Sequence, residues 1–412
     1  MRRSASFWAA TVILAVLGAG AVAQAQGKQE GKAPPAPQVS KGVRKALVAA
    51  QKAATEQKWA ECISNANDAS AVADKTSYDV FLINDILRFC KLRVNDLEGA
   101  MTALEVVANS EFTDPPRRAQ FTTAVMELAY KTKQYPKAID YGMRIVSSGG
   151  ADTNTYLLVA SAHYLQNNFQ QARAFIEEWV TRLESEAKSP PEVALQLWKN
   201  SCIQIADNDC TLVALEAQAK YHPKEETWPN ICASLLRRAP DTMTLDVFRL
   251  ARETGALRRA EEYTEMAQLA LERGLPGEAQ SVLEQGVAAG LFTSPSAAEL
   301  SKRLLASAKT QATADRPVLA RQERESATNK NGQVDVRIGQ AFMSYGQYAE
   351  AIKAIERGLG KGNVRNVPDA RLSLGIAQLR AGQKDVAAAT FKTVEGDELM
   401  RRIARLWGLR AR

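Results

Sequence analysis

Histidine is almost missing from this chain of 412 residues, which holds only His163 and His222. Metal sites and acid–base pairs draw on several convergent His, Asp or Glu side chains. His163 falls at a helix-packing position and His222 beside the helix-ending Pro223, so both read as structural. The five cysteines never take the two-residue spacing of a zinc or redox motif, and no serine sits in a nucleophile-elbow pattern. No stretch alternates apolar and polar residues for long enough to argue for a sheet. Gly358-Leu359-Gly360-Lys361-Gly362-Asn363 resembles a phosphate loop only faintly, because it follows a helical pattern and has no Ser or Thr after Lys361. It reads as a turn between helices. These absences leave no catalytic residue, cofactor or metal ligand to nominate, and the expectation is a protein that is not an enzyme.

The chain also lacks a long apolar run. Residues 9–23 are almost wholly apolar, short of the roughly 20 residues a spanning helix requires. Preceded by Arg2 and Arg3 and followed by Ala23-Gln24-Ala25, they read as a secretory signal cleaved near Ala25, with Ala21-Val22-Ala23 a competing site. The alternative is a retained membrane anchor. No cysteine stands at the cleavage region, which argues against a lipid anchor. Losing residues 1–25 removes two arginines and no acid, so the net charge drops from +7 to +5. Basic and acidic residues are interspersed along the rest, as on solvated helix faces, so no nucleic-acid partner is expected. Residues 26–40, rich in Gly and Pro, read as a flexible linker.

What the chain does contain is a period. Tyr135…Ala138-Ile139 returns as Phe169…Ala172-Arg173 after 34 residues, and as Tyr348…Ala351-Ile352 near the end. Trp59…Cys62, Leu97…Ala100, Tyr135…Ala138 and Phe169…Ala172 form one series with steps of 38, 38 and 34. Such a period marks stacked helical hairpins, each burying its apolar face against its neighbours. Where the two helices of a hairpin cross, a large side chain would force them apart, so the small residue is a packing requirement. The aromatic three residues earlier is expected to wedge against the first helix. A degenerate fifth unit spans 191–221, and a sixth over 226–255 breaks at Ala239-Pro240-Asp241. A clearer one carries Pro276…Ala279…Leu283, and 296–331 reads as an atypical pair or a hinge.

The last section repeats most clearly: Gly339…Phe342…Gly346-Gln347-Tyr348…Ala351 is followed after 36 residues by Gly375…Gly382-Gln383-Lys384…Ala387…Phe391. These residues resemble the tetratricopeptide repeat, well over 115–187 and 333–394 and loosely elsewhere. The resemblance implies an all-α solenoid of antiparallel helix pairs in a right-handed superhelix, bent or interrupted near 226–330, in an exported bacterial protein. It also implies protein–protein binding in a groove lined by first helices, with no particular ligand. Register then places Gln120, Thr123, Glu127, Lys131, Asn154, Leu157, Ser161 and Leu165 on that groove. They do not match the Lys and Asn clamp by which some family members hold a C-terminal carboxylate. Their mixed character suits an extended peptide or a neighbour's helix.

The organisation expected is signal peptide 1–25, linker 26–40, repeats 41–225, degenerate repeats or hinge 226–332, repeats 333–397 and a basic capping helix 398–412. The leading functional reading is a periplasmic scaffold for proteins or peptides of the cell envelope. One rival is a ligand-recognising or catalytic pocket in 226–330; another is membrane contact through 398–412. In that tail Leu399, Ile403, Leu406 and Trp407 make one apolar stripe among arginines, as a cap over the last repeat requires, and capping is preferred to lipid docking. An exported chain oxidises its cysteines. Cys62 and Cys90 lie 14 residues either side of Thr76, and Cys210 and Cys232 lie 11 either side of Tyr221, so these pairs are expected as disulfides. The alternative for Cys202 is a bond to Cys210 across the Asp207-Asn208 turn.

Overall fold

A computed structural model describes residues 37–411. The signal-peptide reading, the linker up to residue 36, and Arg412 lie outside the described residues. Those described form twenty α-helices, one short 3-10 turn and no strand. The chain divides into two compact units, Met1–Cys90 and Lys91–Arg412.

In the first unit, α1 (Lys41–Thr55) and α2 (Trp59–Ala71) form a hairpin, followed by α3 (Ser77–Arg93), whose residues to Cys90 belong here. Ala53, Cys62 and Cys90 meet in its core. The sulfurs of Cys62 and Cys90 are bonded, with Cα atoms 6.4 Å apart, so the small residue at the first crossing is also a covalent tie. Asp79 is fully buried; burial opposes its ionisation, but bonds from Ser40 and Thr76 hold its carboxyl below the usual range. Ser40 therefore belongs to the folded unit, although the sequence reading places it in a flexible linker.

The second unit continues with α4 (Leu97–Ala108), α5 (Pro115–Lys131), α6 (Tyr135–Ser147), α7 (Thr153–Leu165) and α8 (Phe169–Ser185). Next come α9 (Glu192–Gln204), α10 (Asn208–Tyr221), α11 (Trp228–Leu236), α12 (Asp241–Glu253), α13 (Ala260–Glu272) and α14 (Pro276–Ala288). The remainder is α15 (Pro295–Thr328), α16 (Gly332–Ser344), α17 (Tyr348–Lys361), α18 (Val367–Arg380), α19 (Lys384–Lys392) and α20 (Glu398–Arg410). Each helix packs on the next, and first helices touch along a row from α5 to α7 to α9. This is an all-α solenoid of helix pairs.

One turn explains the period. Across the two units, the residue two positions before eight of the second helices takes a left-handed conformation: Gln57, Asn95, Lys133, Asn167, Ala206, Gly274, Gly346 and Gly382. The next amide then closes the turn onto a carbonyl five residues back, as in Gln134 N to Ala129 O at 2.8 Å and Gln347 N to Phe342 O at 3.0 Å. Turns this short bring the two helices together, and the small residues at the crossing fill no space: Ala138, Ala172, Ala279, Ala351 and Ala387 are all at most 1% exposed. A Cβ on Gly339 would come within 2.4 Å of Ile355 Cγ1. Tyr135 packs edge-on against Tyr130 of α5, and Phe169 against Tyr164 of α7, as the wedge reading requires.

Three expectations are corrected. Residues 295–328 form a single 34-residue helix where an atypical pair or hinge is expected. Ser294 caps its start, and Lys361 Nζ donates to the terminal carbonyls of Ser326 and Ala327 at 2.8 and 3.1 Å. Pro317 lies inside it, yet the buried row Ala308, Ala312, Leu319 and Ser326 keeps one face against neighbouring helices. The second correction concerns disulfides: Cys210 is bonded to Cys202, with Cα atoms 5.5 Å apart, and Cys232 is a buried free thiol. Counting outward from Tyr221 assumes a hairpin there. Instead a 3-10 turn (Glu225–Thr227) intervenes, and α11 turns Cys232 toward Thr254. The tight α9–α10 turn places Cys202 opposite Cys210. Third, Leu399 is only half-buried in the tail, and Met400 takes its place beside Ile403, Leu406 and Trp407.

Non-reducing peptide mapping is expected to recover Cys62–Cys90 and Cys202–Cys210 linked, with Cys232 alkylated only after unfolding. Ala206 is exposed in a left-handed turn, where a Cβ costs roughly 1 kcal/mol. Ala206→Gly is therefore expected to raise the melting temperature; an unchanged or lower value by calorimetry counts against the turn rule.

Candidate functional site

Two places bring chemistry-bearing side chains together. The first is the face shared by α5 and α7. Gln120, Lys131, Asn154 and Leu165 are exposed there, while Thr123, Glu127, Leu157 and Ser161 are half-buried. Asn154 Nδ2 donates to Glu127 Oε1 at 3.4 Å, linking the two helices across that face. The Thr123 hydroxyl donates to Ala119 O of its own helix at 3.1 Å. Leu165 is 49% exposed, so the face offers apolar surface between polar groups. Gln120 and Lys131 stand roughly 16 Å apart along α5, so the eight residues define a strip rather than a point.

The second place lies between α12, α13, α14, α16, α17, α18 and α20, around a cavity of about 220 Å³. Arg249 and Arg252 enter it from α12, Glu278 and Ser281 from α14, Arg380 from α18, and Trp407 from α20. Met266, Met343, Tyr348 and Ile376 supply apolar wall. Arg249 is 5% exposed; its guanidinium grips both oxygens of Glu278 at 2.9 and 2.7 Å and donates to Asp246 Oδ1 at 3.0 Å. Burial works against the Glu278 carboxylate, but Arg249 outweighs it and holds the group below its usual range. For Asp246 the balance reverses: burial dominates and pushes the carboxyl up to about 6 despite Arg249. Its Oδ2 has no partner. Arg252 bonds only neutral acceptors, Gln285 Oε1 at 2.9 Å and Ser281 Oγ at 2.8 Å. Burial lowers its pKa, and nearby Arg380 adds repulsion. Trp407 is 1% exposed and its Nε1–H has no acceptor.

The pocket reading therefore fits only in part: half of the lining comes from beyond 226–330, out of α16 to α20. Sequence reasoning assigned none of these residues to a pocket, and named Tyr348 and Trp407 only as packing positions. The available signal was Asp246 and Arg249 inside the apolar run Leu245–Ala251, a charged pair one turn apart on a face that must be buried. Burial depresses the pKa of His163, and His222 Nε2 lies 2.7 Å from Pro190 O. Residues 358–361 are the last turn of α17 rather than a phosphate loop, and Lys361 pairs with buried Asp335 at 2.7 Å. No helix among the described residues is long and apolar enough to cross a membrane.

The C-terminal helix closes this region. α20 packs on α18 and α19 and also reaches back to α10 and α12. Arg402 Nε lies 2.9 Å from Glu216 Oε1 of α10. Burial of Glu216 outweighs that attraction and the more distant Arg405, pushing its carboxyl up to about 7. Ile403, Leu406 and Trp407 of the stripe face protein, as a cap requires, while Leu399 is half-buried.

Helix pairs of this length, with small residues at the crossings and one core running from Leu212 to Ala411, define a helical-repeat protein. The chain is tetratricopeptide-like: residues 336–398 match the tetratricopeptide repeat family model. Solved structures similar to it include that of Naa15/Naa10 bound to HypK-THB, at 13% identity and a TM-score of 0.28. That match covers 87% of this chain, which spans 63% of the other. A tetratricopeptide repeat protein from Parabacteroides merdae ATCC 43184 shows 8% identity and a TM-score of 0.29, covering 66% of this chain and 100% of its own. The TPR2AB domain of yeast Sti1 in its pHSP90 complex shows 14% identity and 0.25, covering 72% and 100%. No curated protein sequence matches the chain.

The Glu216 contact makes stability depend on pH. Its carboxyl holds a proton to about 7 when folded and to its ordinary value of 4.5 when unfolded. Between those values the folded state binds the extra proton, so this group's contribution falls as pH rises and is flat above. Glu216→Gln removes the effect while Asp246 stays common to both proteins. The melting temperature of the variant relative to the natural protein should therefore rise between pH 5 and pH 8, by about 2 °C or more. A difference that stays constant rejects the assignment.

Proposed function

We propose that this protein is a non-enzymatic scaffold of the bacterial periplasm that holds proteins or peptides of the cell envelope along the shared face of α5 and α7. The observation that carries this reading is the Glu127–Asn154 contact across two adjacent first helices, with Leu157 half-buried and Leu165 exposed between polar neighbours. A linear segment with apolar side chains at helical or extended spacing fits such a strip. The tetratricopeptide-like repeats support protein binding in general. Export is supported by the signal-like residues 1–25 and by two cysteine pairs at bonding distance, which persist in an oxidising compartment.

A photo-crosslinking side chain at position 161, on the strip, is compared with one at position 178, exposed on the second helix α8. In intact cells the first is expected to capture a defined envelope protein and the second to capture none. Leu165→Asp should cut capture about tenfold without changing the melting temperature. Equal capture from both positions, or fractionation of the protein with cytosolic markers, contradicts the reading. The rival reading, recognition of a small molecule by the middle of the chain, is favoured by the cavity beside α12.

A further inference from the structure

The strip on α5 and α7 does not end at α7. From the left-handed Asn167 to its counterpart Ala206 the chain advances 39 residues, and the same offset carries the buried Tyr156, Val159 and Ala162 of α7 onto the buried Leu195, Trp198 and Ser201 of α9. The strip residues Asn154, Leu157, Ser161 and Leu165 thereby fall on Val193, Gln196, Asn200 and Gln204, all exposed, and α9 packs beside α7. Ile203, one turn beyond Asn200, joins the same row. Val193 is 58% and Ile203 53% exposed, so with Leu165 three open aliphatic side chains share one face of two touching helices. The sequence reading left α9 out because it takes 191–221 as a degenerate unit.

The enlarged face carries almost no charge. Its α7 and α9 residues include no ionisable group, and on α5 Glu127 and Lys131 are opposite in sign and one turn apart. The adjoining Glu192 is already held by Lys224 and by Gln196 Nε2, which donates to it at 2.9 Å. A charged side chain laid across such a face gives up water and gains no counter-charge. The side-chain amides of Asn200 and Gln204 are exposed and make no hydrogen bond among the described residues. Each amide is donor and acceptor at once. An extended chain offers unpaired N–H and C=O groups to such amides, whereas a helix has already paired its own.

We propose that α5, α7 and α9 together bind an uncharged, extended segment of a partner protein, its peptide groups bonded by Asn200 and Gln204 and its aliphatic side chains resting on Leu165 and Ile203. The site is the one proposed above for protein binding, enlarged by a third helix, and the inference rests on that reading.

The test places a photo-crosslinking side chain at position 161 or 200 of the full chain in intact cells and maps the captured residues by mass spectrometry. Both positions are expected to capture one and the same segment, with no Asp, Glu, Lys or Arg between the two crosslinks. Helices in contact lie about 8–10 Å apart. An extended chain, at about 3.3 Å per residue, crosses that distance in about three residues; a helix, at about 1.5 Å per residue, takes about six. Asn200→Asp and Asn200→Lys, at an exposed site, should each weaken capture from position 161 about tenfold with the melting temperature unchanged, because an uncharged occupant loses with either sign. Capture at 161 but not at 200 overturns the extension to α9 and leaves the α5–α7 reading intact. Crosslinks six or more residues apart, or stronger capture with either charged variant, overturn the extended, uncharged occupant. No capture from either position defeats the protein-binding reading and this inference with it.

Discussion

The constraint on which the rest depends is the length of the turn inside each helix pair. A single left-handed residue and one backbone hydrogen bond spanning six residues leave only a few residues between the helices. The helices are consequently held close where they cross, and the crossing admits only a small side chain, as at Ala138, Ala172 or Ala351. Each pair then presents an apolar face larger than it can cover itself, which the next pair must bury. Period, composition and stacking are three expressions of that one geometry. It also accounts for the 36-residue step between Gly346 and Gly382, since glycine is the residue that takes the left-handed position without a steric cost.

That origin explains what was legible in the sequence and what was not. The second helices begin where the aromatic or apolar residue stands, at Trp59, Leu97, Tyr135, Phe169 and Tyr348, because the crossing rule is local. The first, second and fifth repeats looked irregular because Gln57, Asn95 and Ala206 occupy the turn that Gly274, Gly346 and Gly382 occupy later. A left-handed Gln or Ala leaves no mark in composition. The long helix α15 was missed for a similar reason: its pattern fades into polar sequence toward Gly332, whereas the contacts that hold the helix, from Lys361 and from its buried face, come from far along the chain. The Cys210–Cys232 expectation failed where counting residues assumed a hairpin that the 3-10 turn interrupts.

The strip on α5 and α7 was read from register, because one period maps onto one face. The cavity could not. Its walls come from seven helices spread over about 160 residues, and no motif joins Arg249, Glu278, Arg380 and Trp407. Their association follows from the return of α20 to α10 and α12, a tertiary choice with no local signature. What the sequence does carry is the anomaly: charged residues within apolar helical stripes, Asp246 and Arg249 in α12 and Arg402 in α20, each of which requires a partner elsewhere.

Those buried charges place a specific demand on the end of the chain. A cap that only covered apolar surface needs no arginine on its inner side, and an apolar residue of similar volume would often be as stabilising there as a buried ion pair. Arg402 instead meets Glu216, and burial leaves that carboxyl raised to about 7, so the pair is an electrostatic compromise rather than a strong tie. What the pair does supply is registration. With Arg402 set against α10, Ile403, Leu406 and Trp407 are placed over the core, and Trp407 reaches the cavity wall. Shifting α20 by one residue along its axis would rotate it by about 100° and carry the indole away from Arg252. The Arg402–Glu216 pair and the apolar face of α20 thus agree on one register, the one that puts Trp407 at the cavity wall.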